Sequence, residues 1–126
     1  MTDGIQITSD GVMKDGVHTT SDGTRVWWFQ GKQHREDGPA IEWSNGDREW
    51  ILNGQLHRED GPAIERSDGS AYWFRYNKLH REDGPAIIGT DGTQAWYLYG
   101  ERLEVRTLRG LKRKLKEFII RKIMEA

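Results

Sequence analysis

Histidine, glutamate and aspartate ligate zinc and move protons. This chain groups them three times, in the run His-Arg-Glu-Asp-Gly-Pro-Ala at 34–40, 57–63 and 80–86. Taken as chemistry, His34, Glu36 and Asp37 and their equivalents would form a metal site or an acid–base pair. The spacing argues against both. The copies recur every 23 residues. If each is one step of a sheet, equivalent side chains two strands on lie about 10 Å apart. Zinc–nitrogen bonds are about 2 Å long, so His34 and His57 cannot share an ion. A site inside one copy would lack enclosure and would be built three times over. The expectation is therefore no catalytic residue, no metal ligand and no cofactor. Asp37, Asp60 and Asp83 are expected to hydrogen-bond their own turns. Arg and Glu of neighbouring copies should form an exposed charge ladder, and the imidazoles should donate, neutral, to turn carbonyls.

The elements that position these residues follow from the same period. Gly23, Gly46, Gly69 and Gly92 share it, as do Trp27, Trp50, Trp73 and Trp96. A fixed period of this length means a stack of like units. Within one unit, Arg48 to Leu52 reads as a strand, Asn53-Gly54 as a tight turn, and Ala63 to Arg66 as a second strand. Pro62 suits a strand start or bulge, and Ser67-Asp68-Gly69 turns the chain into the next unit. The expected fold is mainly β, an elongated antiparallel meander of stacked 23-residue two-stranded repeats with a C-terminal α-helix. Residues 1–22 read as a degenerate N-terminal repeat or cap, 23–103 as the repeat sheet and 104–126 as a basic amphipathic helix.

The motif resembles the MORN repeat family, which has a 23-residue period, a W-x-x-G-x-x-H core and Asp-Gly turns. The correspondence runs Trp50, Gly54, His57, Gly61, Asp68, Gly69 and again Trp73, His80, Gly84, Asp91, Gly92, over about residues 20–103. The insert Arg-Glu-Asp between His and Gly departs from the usual form and is similar to variants of bacterial, bacteriophage and large-virus proteins. The resemblance implies the stacked sheet and a non-catalytic scaffold for protein partners. By analogy it also implies an inhibitor or adaptor acting on a host protein.

Composition bounds the rest. A hydrophobic fraction of 35% with 31% charged residues suits a thin sheet better than a thick core, and without Cys neither disulfides nor thiol chemistry is available. The first eleven residues hold no apolar run and no stretch approaches a membrane span, so a cytoplasmic protein is expected. Residues 1–103 carry 11 Lys/Arg against 17 Asp/Glu, whereas 104–126 carry 8 against 3. The acidic repeats would repel nucleic acid, leaving it disfavoured as a partner.

Two regions are candidates for binding. Alternation places Trp27, Trp50, Trp73 and Trp96 on one face of the sheet and Trp28, Ile51, Phe74 and Tyr97 on the other. Both rows are apolar, and an open sheet ordinarily buries one face. The second must be covered by a fold-back, the helix, another protomer or a partner. Arg75 stands where other copies have Phe29, Leu52 and Leu98, a place for specificity to be written. From Thr107 to Met124, helical periodicity sets Leu108, Leu111, Leu115, Phe118 and Ile119 on one stripe, with Arg109, Lys112, Arg113 and Lys116 beside it. Ile120, Ile123 and Met124 then fall on the basic side. The helix reads as a cap on the sheet, as a contact to a partner or second copy through Ile120, Ile123 and Met124, or as an anionic-surface binder through the four cations. The functional expectation is a protein-binding module, its partner a host protein or itself. Attachment to a membrane or phosphate surface is the alternative.

Overall fold

The computed structural model describes Ser9 and residues 11–125. Strand β1 (Gly16–Thr19) leads into β2 (Arg25–Phe29), β3 (Lys32–Gln33) and β4 (Ile41–Glu42). The second unit is β5 (Arg48–Glu49), β6 (Ile51–Leu52), β7 (Gln55–Leu56) and β8 (Ile64–Glu65). The third is β9 (Ala71–Tyr72), β10 (Phe74–Arg75), β11 (Lys78–Leu79) and β12 (Ile87–Ile88). Strands β13 (Gln94–Leu98) and β14 (Glu101–Leu103) precede helix α1 (Leu108–Glu125). The main sheet is an antiparallel meander in the order β1-β2-β4-β5-β8-β9-β12-β13-β14, with β3 beside β2; β6–β7 and β10–β11 are separate pairs. A mainly β meander with a C-terminal helix is what the period predicts.

Strands β2 and β13 run unbroken through Trp27 and Trp96, but the second and third units differ from the two-stranded expectation in one respect. The aromatic strand bends at its tryptophan. Trp50 donates its N–H to Ala63 O (2.7 Å) on one side and accepts from His57 N–H (3.0 Å) on the other. Residues before it join the main sheet, and those after it form a hairpin with 55–56. The hairpins link to one another in turn, Gly54 N–H to Gln33 O and Asn77 N–H to Leu56 O, both 2.8 Å. The turns are of the type that needs two positive φ values: Asn53 at 49° and Gly54 at 80° match the Asn-Gly signal. Tyr76 and Tyr99 adopt the same conformation at 47° and 51°. Side chains rarely do so without a compensating bond.

The turns between units are built by local chemistry. Asp22, Asn45, Asp68 and Asp91 each accept from the backbone N–H two residues on, at 2.9–3.0 Å. Donors from Thr20 and Thr24 push the Asp22 carboxyl down to about 2. In the region 1–22, β1 pairs with β2 in the register Gly16↔Trp28 to Thr19↔Arg25, giving the stack a terminal strand. Residues 1–8 and 10 lie outside the described residues.

The bend changes how the sheet is covered. Ile51 packs with Ala40, Ile41, Val26 and Leu56 in a buried cluster, because the hairpin turns back against the main sheet. A second cluster joins Trp96, Leu98 and Leu103 to Leu111 and Phe118 of α1, with Val105 and Leu115 against it. The helix starts at a side-chain cap, Thr107 Oγ1 accepting from Gly110 N–H at 3.1 Å.

Candidate interaction surfaces

The repeated heptad is accounted for atom by atom. Arg58 lies over the Trp50 ring, its guanidinium carbon 3.8 Å from the ring centre. Its Nε donates to Asp60 (3.2 Å) and its Nη1 to Pro62 O (3.1 Å). Arg35 on Trp27 and Arg81 on Trp73 repeat the arrangement at 3.9 Å. A Cβ at Gly61 would stand 2.9 Å from the Arg58 guanidinium carbon, so only glycine leaves room for the stack. Ala40, Ala63 and Ala86 are fully buried. The heptad is thus a clasp that closes each unit over its own tryptophan. The carboxylates of Asp37, Asp60 and Asp83 serve the arginine two residues earlier, where turn bonding was expected. The expected ladder between copies is also corrected: Arg35 reaches Glu42 (3.7 Å) and Arg58 reaches Glu65 (3.4 Å), each within its own unit.

The three heptad histidines act as acceptors rather than donors to carbonyls, whereas His18 Nε2 donates to Lys14 O at 2.8 Å. His34, His57 and His80 take the N–H of Asn53, Tyr76 and Tyr99 on Nδ1 at 2.8, 3.2 and 2.9 Å. These donors are the positive-φ turn residues of the next hairpin, so the ring stands in for a ladder carbonyl. Nε2 then carries the proton and faces the glutamate two residues on, closest for His80–Glu82 at 2.7 Å. Burial lowers the His80 pKa below its ordinary value, against the opposing effect of Glu82. His57 stacks on Tyr76, and His80 meets the Tyr99 ring at a tilt of 46°. Among the described residues no group of three metal-ligating side chains converges.

The row Trp28, Ile51, Phe74 and Tyr97 is not an open stripe. Ile51 is 4% exposed and belongs to the core, and Trp28, Phe74 and Tyr97 are half-buried. The tryptophan row is covered too: by arginine at Trp27, Trp50 and Trp73, and by α1 at Trp96, where no heptad follows to supply one. Arg75 is half-buried and holds Glu82 at 3.1 Å, which gives that irregular position an intramolecular partner.

The helix is different. Its inner side is in the core, but Leu108 and Ile119, expected on the buried stripe, are about half exposed. Ile120, Ile123 and Met124 are 60%, 67% and 79% exposed. Arg109, Lys112, Arg113 and Lys116 are exposed and have no carboxylate partner among the described residues. At 3.6 residues per turn these four cations and Ile119, Ile120, Ile123 and Met124 share one side of the helix, basic in its first half and apolar in its second. No described helix is long and apolar enough to cross a membrane.

No family model matches the chain, and no curated protein or solved structure matches it significantly.

Proposed function

We propose that this chain is a non-catalytic, MORN-like repeat module that binds another protein through the outer side of α1. The observation that carries this reading is the apolar end of that helix, where Ile119, Ile120, Ile123 and Met124 stand 50–79% exposed beside no covering element. Contiguous exposed apolar surface of this kind marks interaction sites. The engagement of the heptad arginines, aspartates and histidines in bonds within the repeats supports a scaffold role. The test uses the full chain carrying Ile120→Asp and Ile123→Asp in an affinity capture beside the unaltered protein. A partner held by the unaltered chain and lost from the variant, with helicity and melting temperature unchanged, is the expected result. An identical set of partners on both would refute the reading. A chain ending at Leu103 is not a clean control, because Trp96, Leu98 and Leu103 would lose their cover.

A second reading rests on the four unpaired cations: adsorption to an anionic surface through Arg109, Lys112, Arg113 and Lys116. Co-sedimentation with anionic vesicles that weakens with salt would support it, and equal pelleting of Arg113→Glu/Lys116→Glu would exclude it.

A further inference from the structure

We infer that the partner of α1 is a second copy of this chain, whose groove between the first two heptad loops receives the basic and apolar side of the helix. This rests on the reading that α1 is a docking face. The groove encloses roughly 650 Å³ and is walled by Glu36, Asp37, Glu59 and Asp60, with Trp50 and Tyr76 along it. Arg35 and Arg58 also line it, but their guanidinium groups are bound to Asp37 and Asp60. Glu36 and Glu59 are 84% and 75% exposed and face only histidine, so they carry the groove's uncompensated charge. The third copy differs, since Arg75 occupies Glu82. This groove therefore combines two free carboxylates with an aromatic lining, whereas the neighbouring groove shares only Glu59 and holds Arg75 beside Glu82.

The helix offers the complementary pattern at a matching step. Glu36 and Glu59 are one unit apart, about 10 Å at two strand spacings. Arg109 and Lys116 are seven residues apart on one stripe, about 10.5 Å along the axis. Beyond them Ile120 and Ile123 continue on the same side, toward the aromatic lining. The molecule cannot make this contact with itself. Its own α1 is fixed on β13 and β14 by Leu111 and Phe118, two units from the groove, with the basic side turned outward. The contact is consequently head to tail, helix of one copy to groove of the next, and such contacts continue into chains unless they close a ring.

Sedimentation velocity on full-length protein tests this. The unaltered chain should exceed dimer mass as concentration rises in low salt and dissociate in high salt, where surface charges are screened. Arg109→Glu/Lys116→Glu and Glu36→Lys/Glu59→Lys alter only exposed side chains, and each alone should be monomeric. Their equimolar mixture should associate again in alternating order, because each copy's helix then meets a groove of opposite charge. A chain carrying all four changes should associate again. The inference is overturned if the unaltered chain stays monomeric at high concentration in low salt. It is equally overturned if the groove variant associates as the unaltered chain does, or if the mixture of the two variants does not associate. A monomer that still captures a foreign protein through Ile120 and Ile123 would leave the docking face standing and remove only the second copy as its occupant. A monomer that pellets with anionic vesicles would assign the helix to lipid.

Discussion

Leu111→Ala tests whether α1 closes the open end of the sheet. Leu111 is fully buried, in the cluster with Trp96, Leu98, Leu103 and Phe118. Truncating a buried leucine removes its transfer free energy and leaves a cavity, together about 3 kcal/mol, and up to about 5 where the site cannot collapse. For 126 residues the unfolding entropy is about 0.26 kcal/mol/K, so 3 kcal/mol lowers the melting midpoint by about 12 °C. Ile123→Ala is the matched control, on the same helix but 67% exposed. It should change stability by less than about 0.5 kcal/mol, or roughly 2 °C. Thermal unfolding followed by circular dichroism, repeated in urea, gives both values. Equal and small shifts for the two variants would falsify the docked cap, since an undocked helix has no buried face to distinguish them.

Two further outcomes follow from the clasp and the imidazole ladder. Arg58→Lys keeps the charge but loses the fork to Asp60 and Pro62 and the flat stack on Trp50, with an expected loss of about 1 kcal/mol. Gly61→Ala should cost a similar amount by displacing the same guanidinium, and a urea double-mutant cycle should find the two effects far from additive. With acid, stability should decline. The folded-state pKa of His80 is lowered, so below the unfolded value of 6.5 the unfolded chain binds the extra proton, and His80's contribution is lost as pH falls from there toward the folded value. Glu82, lowered chiefly by its bond from His80, adds a loss in the same direction below 4.5. His80→Asn retains an acceptor for Tyr99 N–H and should flatten the first of these limbs in urea midpoints measured across the pH range. An unchanged slope would show that His80 is not the titrating group.

Local chemistry was legible in the residues themselves. A 23-residue period, Asn53-Gly54, and the Asp-Gly turns at 22–23, 68–69 and 91–92 act over two to four neighbours, so strand, turn and meander follow from spacing alone. The helix was legible for the same reason, and its observed start and end fall within a residue of the Thr107–Met124 periodicity. What only the tertiary structure decided is which surfaces remain open. The bend at Trp50 depends on bonds to Ala63 on one side and His57 on the other, and it turns Ile51 from a candidate contact into core. Arginine above tryptophan joins residues eight apart through a loop whose path no periodicity describes. The free carboxylates of Glu36 and Glu59 likewise emerge only once Arg35, Arg58 and Arg75 have chosen their partners. Turn types depend on neighbours in sequence, but exposure depends on how distant segments fold over one another. The sequence therefore determined the repeat, whereas the assembled chain determined which of its surfaces are free to bind.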